Sequence, residues 1–347
     1  MIAIGTSHLP RNDPIFSTAD IAVGIDVLTE QQDGKHSEIR RAELEFVSAI
    51  ASHSCAFRFR GAASVSHLSE IIEESRAALE SAMAASLFVL DGCLAFSLYV
   101  LFCACTVSTS IPFVPLVGVV LYLQVLLPII GLAMAMTKST PETMKRVPPK
   151  NDPSVTFARK EKPILYSVML LKALPPSIFP QLVQLIAFGQ LLIHYEPELV
   201  ATSCPGASNW FHVIHCAALK DYSGIARTSA GTMGLAQLVL CISVSSASYV
   251  SRFASIYELP PWEQNHLWFW SVVVALGLTA VYISIGVERK GMISALPWYF
   301  HVLSATTPFF CVAWSEVLKQ FESKQERRAE KLRRLQFETR LGAWSPK

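Results

Sequence analysis

Six long apolar stretches constrain this chain more than any other feature. They fall at 82–107, 112–136, 174–194, 230–250, 267–287 and 297–314. The hydrocarbon core of a bilayer needs about 20 predominantly apolar residues per helix. Backbone polar groups in lipid must also be satisfied within the protein, which restricts spanning segments to helices or closed barrels. Stretches of this length favour helices, so the reading is an all-α membrane protein with six transmembrane helices. Across all six, one interior carboxylate stands out, Asp91. Membrane proteins that move ions usually keep acidic side chains at such depths, and here those positions are nearly empty.

Composition agrees. Hydrophobic residues make up 52% of the chain and charged residues only 16%, against about 25% charged in an average soluble protein. The net charge of +2 implies no nucleic-acid partner; the partner implied is the lipid bilayer. No basic n-region or cleavage site follows Met1, so the first span is expected to act as the insertion signal. Cys93, Cys103, Cys105, Cys241 and Cys311 lie within spans, where a thiol serves most often as a small apolar filler. No C-x-x-C pattern occurs, which argues against a structural zinc site.

The charges sit between and outside the spans. Residues 1–63 are mixed, with strand-like alternation at 21–25 and 56–60, a polar loop at 31–35 and helical spacing over 38–50. This piece is too short to close a core with ease and reads as a partial α/β segment. Over 64–81, Val65, Leu68, Ile71, Ile72 and Leu79 recur at helical spacing, with Glu70, Glu73, Glu74 and Glu80 opposite. No Gly or Pro separates this stalk helix from the first span, which predicts one continuous rod. An amphipathic lead-in over 164–174 and Pro175-Pro176 precede the third span. Pro128 is expected to kink or unwind the second. Seven Lys and Arg residues lie in the loop between spans two and three. Eight more lie between Lys319 and Arg340, in a basic tail (318–347). The positive-inside rule places both regions, and both termini, in the cytosol.

This layout resembles the C-terminal half of a P-type cation-transporting ATPase. Asn12-Asp13-Pro14 followed by Ala19-Asp20-Ile21-Ala22-Val23 is similar to the family's hinge, G-D-G-x-N-D-x-P then A-D-I-G-I-A. Ile72-Glu73-Glu74-Ser75-Arg76 resembles the stalk sequence I-E-E-G-R. Met144 to Pro149 resembles the M-x-R-P-P segment after the family's sixth helix, and Pro260-Pro261-Trp262 falls where many calcium-pump relatives carry the same triplet. The resemblance implies that residues 1–63 are the end of a haloacid dehalogenase-like phosphorylation domain, with Asn12 and Asp13 as a hinge-like remnant. It is closest to the divergent endoplasmic-reticulum branch, for which magnesium uptake has been proposed. Departures are equally plain. The D-K-T-G-T motif, a nucleotide domain and four membrane helices are missing from this chain, so it is not catalytic as it stands and carries no cofactor. The resemblance implies a partner in the missing N-terminal half. A non-catalytic membrane scaffold or regulator is the alternative.

Four residues are candidates for an ion pathway. An ionised Asp at a helix centre costs about 2.5–3.5 kcal/mol on insertion scales, which Asp91 must offset with a cation, a polar cavity or a proton. The other reading of Asp91 is a protonated or snorkelling side chain packed near the cytosolic third. Ser243 and Ser246, with Ser245 and Ser248 beside them, offer hydroxyls to a hard cation, although small residues more commonly allow close helix packing. Gln124 is either a ligand or an interhelical hydrogen bond, and the second is favoured. Cys204 and Cys216 share the loop between spans three and four. The resemblance implies a disulfide there, as in several calcium-pump relatives, and an oxidising lumen agrees.

Overall fold

The computed structural model describes residues 2–6, 21–26, 57–60, 66–106, 114–138, 162–204, 206, 209–214, 224–251, 255–286 and 293–343. The chain divides into two compact units, Met1–Arg76 and Ala77–Lys347.

The first unit holds three strands, β1 (Ile2–Thr6), β2 (Ile21–Asp26) and β3 (Phe57–Arg60). They pair in parallel in the order β1-β2-β3, with Ile2 opposite Ile21 and Val23 opposite Phe57. Parallel pairing requires long crossovers, and the segments joining these strands are long enough to provide them. The strands expected near 21–25 and 56–60 are present; β1 was not anticipated. The expected helix over 38–50, the loop at 31–35 and the hinge-like Asn12 and Asp13 lie outside the described residues.

Helix α1 (Ser66–Thr106) runs unbroken through the stalk sequence into the first apolar stretch, as the absence of Gly and Pro predicts. The second stretch has three parts, α2 (Leu116–Val120), a π-helical turn (Leu121–Leu126) and α3 (Leu127–Ala135). Pro128 follows the π turn at once. Its ring cannot donate to the carbonyl one turn earlier, and the widened turn is where the helix absorbs that loss. The lead-in and third stretch form one helix, α4 (Lys162–Tyr195), with Pro175, Pro176 and Pro180 inside it. The prolines were expected to mark its start; instead the helix continues through them. Short helices α5 (Pro197–Ser203) and α6 (Trp210–Ile214) follow. Then come α7 (Ile225–Ser245), α8 (Ala247–Val250), α9 (Pro261–Gln264) and α10 (His266–Gly286). The last helix, α11 (Trp298–Ala343), is continuous from the sixth stretch into the basic tail.

Among the described residues, five helices are long and apolar enough to cross a membrane: Glu70–Cys105, Leu116–Ala135, Tyr166–Tyr195, Ile225–Val250 and His266–Gly286. The sixth expected span is helical, but His301, Ser304, Thr306, Thr307 and Pro308 dilute its apolar character, and it is not among the five.

Helix α7 is the hub, packing against α4, α10 and α11. Small residues let it do so. A Cβ on Gly234 would lie 2.7 Å from Gln184 Cβ and from the Tyr99 hydroxyl, so only glycine admits α1 and α4 this closely. One apolar cluster joins Phe88, Tyr99, Tyr122, Leu126, Leu235 and Trp268. A second joins Phe188, Leu191, Val213, Met233 and Phe300. By contrast α10 turns most of its apolar surface outward, as a helix in lipid does.

Candidate functional site

Asp91 sits on α1 and is 9% exposed. Tyr249 of α8 donates its hydroxyl to Asp91 Oδ2 at 2.6 Å. The other carboxylate oxygen, Oδ1, is buried with no hydrogen-bond partner. Burying a polar oxygen unpaired is costly, so this atom marks a place where something beyond helix packing is required.

The Tyr249 ring is held on two sides. Phe88, one turn before Asp91, meets it edge-on at 5.7 Å. Lys172 of α4 places its Nζ 5.3 Å from the ring centroid, a cation–π distance. The same ammonium is 2.8 Å from Glu322 Oε2 on α11, with the two side chains 12% and 35% exposed. Asp91 feels the charge of both Lys172 and Glu322. A polar line therefore runs from Asp91 through Tyr249 and Lys172 to Glu322, across four helices.

Beside it lies a second buried pair on α11, Lys319 Nζ to Glu316 Oε1 at 3.2 Å, with side chains 6% and 10% exposed. Glu316 Oε2 also accepts from Ser255 Oγ and Ile256 N at 3.5 Å. Burial pulls the Lys319 ammonium below its ordinary range, and Glu316 opposes that shift. Sequence reasoning missed these residues. Lys172 did leave a signal, as a single cation inside the apolar run Val168 to Leu174. Tyr249 left none.

The other expected pathway residues go elsewhere. Gln124 is exposed on the π turn. Ser246 Oγ donates to the Ser243 carbonyl at 2.6 Å and accepts from Trp268 Nε1 at 2.9 Å. Ser245 and Ser248 return their hydroxyls to the carbonyls of Ile242 and Ser245, at 3.1 and 3.0 Å. Such back-bonding bends helices, and α7 gives way to α8 at Ser246. The hydrogen bond to Asp91 comes from Tyr249 and from none of Gln124, Ser243 and Ser246. Ser245, Ser246 and Ser248 thus each spend the hydroxyl proton on a carbonyl three residues back.

Two further polar contacts hold helices together. Tyr99 and Cys103 of α1 bond to the side-chain oxygens of Gln184 and Gln181 on α4. Gln237 of α7 donates to Thr307 Oγ1 at 2.6 Å and to the Ser304 carbonyl at 2.9 Å on α11. Cys204 is disulfide-bonded. The five other described cysteines are free, so its partner, like Cys216, lies outside the described residues. Among the described residues no three His, Cys, Asp or Glu side chains gather as a metal site would require. No protein-family model matches the chain, and no curated protein matches it.

Proposed function

We propose that this chain is the membrane region of a P-type-ATPase-like cation transporter, with Asp91 as its pathway carboxylate. The observation that carries the reading is the buried Asp91 with one free oxygen, held by Tyr249 inside an apolar helix. Ionisable groups at such depth mark ion or proton routes by default. The ion and compartment to which the sequence resemblance points are magnesium and the endoplasmic reticulum. ATP hydrolysis would come from a phosphorylation domain whose end is represented by residues 1–63. A Cys204–Cys216 disulfide on the lumenal side and cytosolic termini belong to the same proposal.

The test is uptake. Vesicles from cells expressing the full protein are loaded with a magnesium-sensitive dye, and the wild type is compared with Asp91→Asn. Loss of uptake in the variant, at equal protein level, is the expected result. Undiminished uptake removes Asp91 from the pathway.

A second reading, a non-catalytic scaffold, has its own support. Gln237 and Ser246 spend their hydrogen bonds joining helices, as glue does in membrane bundles. On that reading neither variant nor wild type changes magnesium flux, and the protein is found instead in a stable complex with another membrane protein.

A further inference from the structure

We propose that the cation Asp91 takes up is a proton, bound at Oδ1, and not a divalent metal ion. The inference rests on reading Asp91 as a pathway residue and deepens it by naming the ligand.

The argument is one of ligand count and charge. A hard divalent cation takes six or more oxygen ligands, and magnesium demands near-ideal octahedral geometry. Around Asp91 the described side chains offer one carboxylate and one phenol, and the phenol's proton already points at Oδ2. The remaining neighbours are unsuited to a metal. From α4 comes an ammonium, Lys172, which repels one. From α11 comes Glu322, already paired with Lys172 at 2.8 Å. From the π turn comes Tyr122, which feels the Asp91 charge but whose hydroxyl is spent on the Gly92 carbonyl at 3.0 Å. A proton needs none of these missing ligands. It needs one lone pair, and Oδ1 has an unpartnered one.

Loading forms one O–H bond at Oδ1 and breaks one O–H bond of a hydronium ion, which leaves as water; nothing is oxidised. It also cancels the attraction between the Asp91 charge and Lys172, while the Lys172–Glu322 ion pair remains. The state of Asp91 is thereby felt at α11 through Tyr249 and Lys172.

The experiment is pH-difference infrared spectroscopy of the full chain in lipid nanodiscs, with magnesium chloride as the competing probe. A protonated-carboxyl C=O band is expected to appear on acidification and to vanish in Asp91→Asn. In Tyr249→Phe it should move to higher frequency, because the hydroxyl no longer bonds to the carboxyl. At fixed pH, magnesium should leave it unchanged. Loss of the band on adding magnesium overturns the proposal in favour of a metal site. No titrating band across the protein's stable pH range overturns it in favour of a fixed structural contact. Should magnesium uptake survive Asp91→Asn while the band titrates as expected, the transport reading fails and proton binding stands.

Discussion

Trp314 donates its indole N–H to the carbonyl of Leu171 at 2.8 Å, and Leu171 is the residue four before Pro175. In a regular helix that carbonyl would accept from residue 175, but proline has no N–H to give. The donor comes from α11 instead. The same substitution recurs at Pro308, four residues after Ser304, whose carbonyl accepts from Gln237 on α7 at 2.9 Å. Two prolines that would leave orphan carbonyls in an apolar medium are thus each matched by a side chain from a neighbouring helix.

Trp314→Phe should therefore weaken the α4–α11 contact while preserving most of its bulk. The loss expected is about 0.5–1.5 kcal/mol, the net worth of a typical hydrogen bond. Thermal unfolding in detergent measures it, with wild type as reference. A Tm equal to wild type would show that lipid or water replaces the indole at no cost.

Gln237→Leu removes a buried donor and should cost about 1–3 kcal/mol, because the Ser304 carbonyl is left with only the long 3.4 Å bond from Thr307 Oγ1. Restoring the backbone donor with Pro308→Ala should rescue part of that loss. A double-mutant cycle tests this, and the two changes should be non-additive. Strict additivity would separate the proline from the glutamine.

Asn265 is the second joint. Its Nδ2 donates to the Ala133 carbonyl at 2.6 Å and to Thr137 Oγ1 at 3.0 Å, and its Oδ1 accepts from Trp268 N at 2.8 Å. One side chain thus caps the start of α10 and closes the end of α3, where Ser81 also reaches the Ala135 carbonyl at 2.8 Å. Asn265→Ala should cost at least the roughly 0.5–2 kcal/mol of a lost N-cap. Asn265→Asp keeps the cap and loses the donor, so its stability should fall between the two. Equal losses for both variants would show that the grip on α3, not the cap, sets the cost.

Glycines give a paired control. Gly234→Ala should destabilise by about 1–3 kcal/mol through overpacking, since its new methyl meets Gln184 and Tyr99 at 2.7 Å. Gly277→Ala meets nothing within 4 Å and should stay within about 0.5 kcal/mol of wild type. Denaturation midpoints of the two variants, read side by side, check the hub role of α7.

The sequence showed its spans because length and apolarity are properties of a single segment. It showed Asp91 because a lone carboxylate in such a segment is rare. What it hid are relations between segments. Nothing in the chain near Asp91 names Tyr249, 158 residues away. Pro175 and Pro176 looked like a boundary because the donor that sustains the helix, Trp314, belongs to another helix. The serines of α7 and α8 read as packing residues or as cation ligands; only the fold reveals that Ser246 spends its hydroxyl on Ser243 and Trp268. The sixth stretch was counted by its aromatic and aliphatic residues, whereas its His, Ser and Thr residues lower its apolarity and Thr307 faces Gln237.

Helix α11 has 46 residues without interruption, about 69 Å at the ordinary rise per residue. Its early turns bond to Gln237 and Trp314 bonds to α4, while Glu322 is pinned by Lys172. A rod fastened at those three points cannot tilt at one of them alone. On the proposal that Asp91 takes up a proton, a resulting shift of Lys172 would act on it as on a lever, with a displacement that grows along the tail toward Ala343.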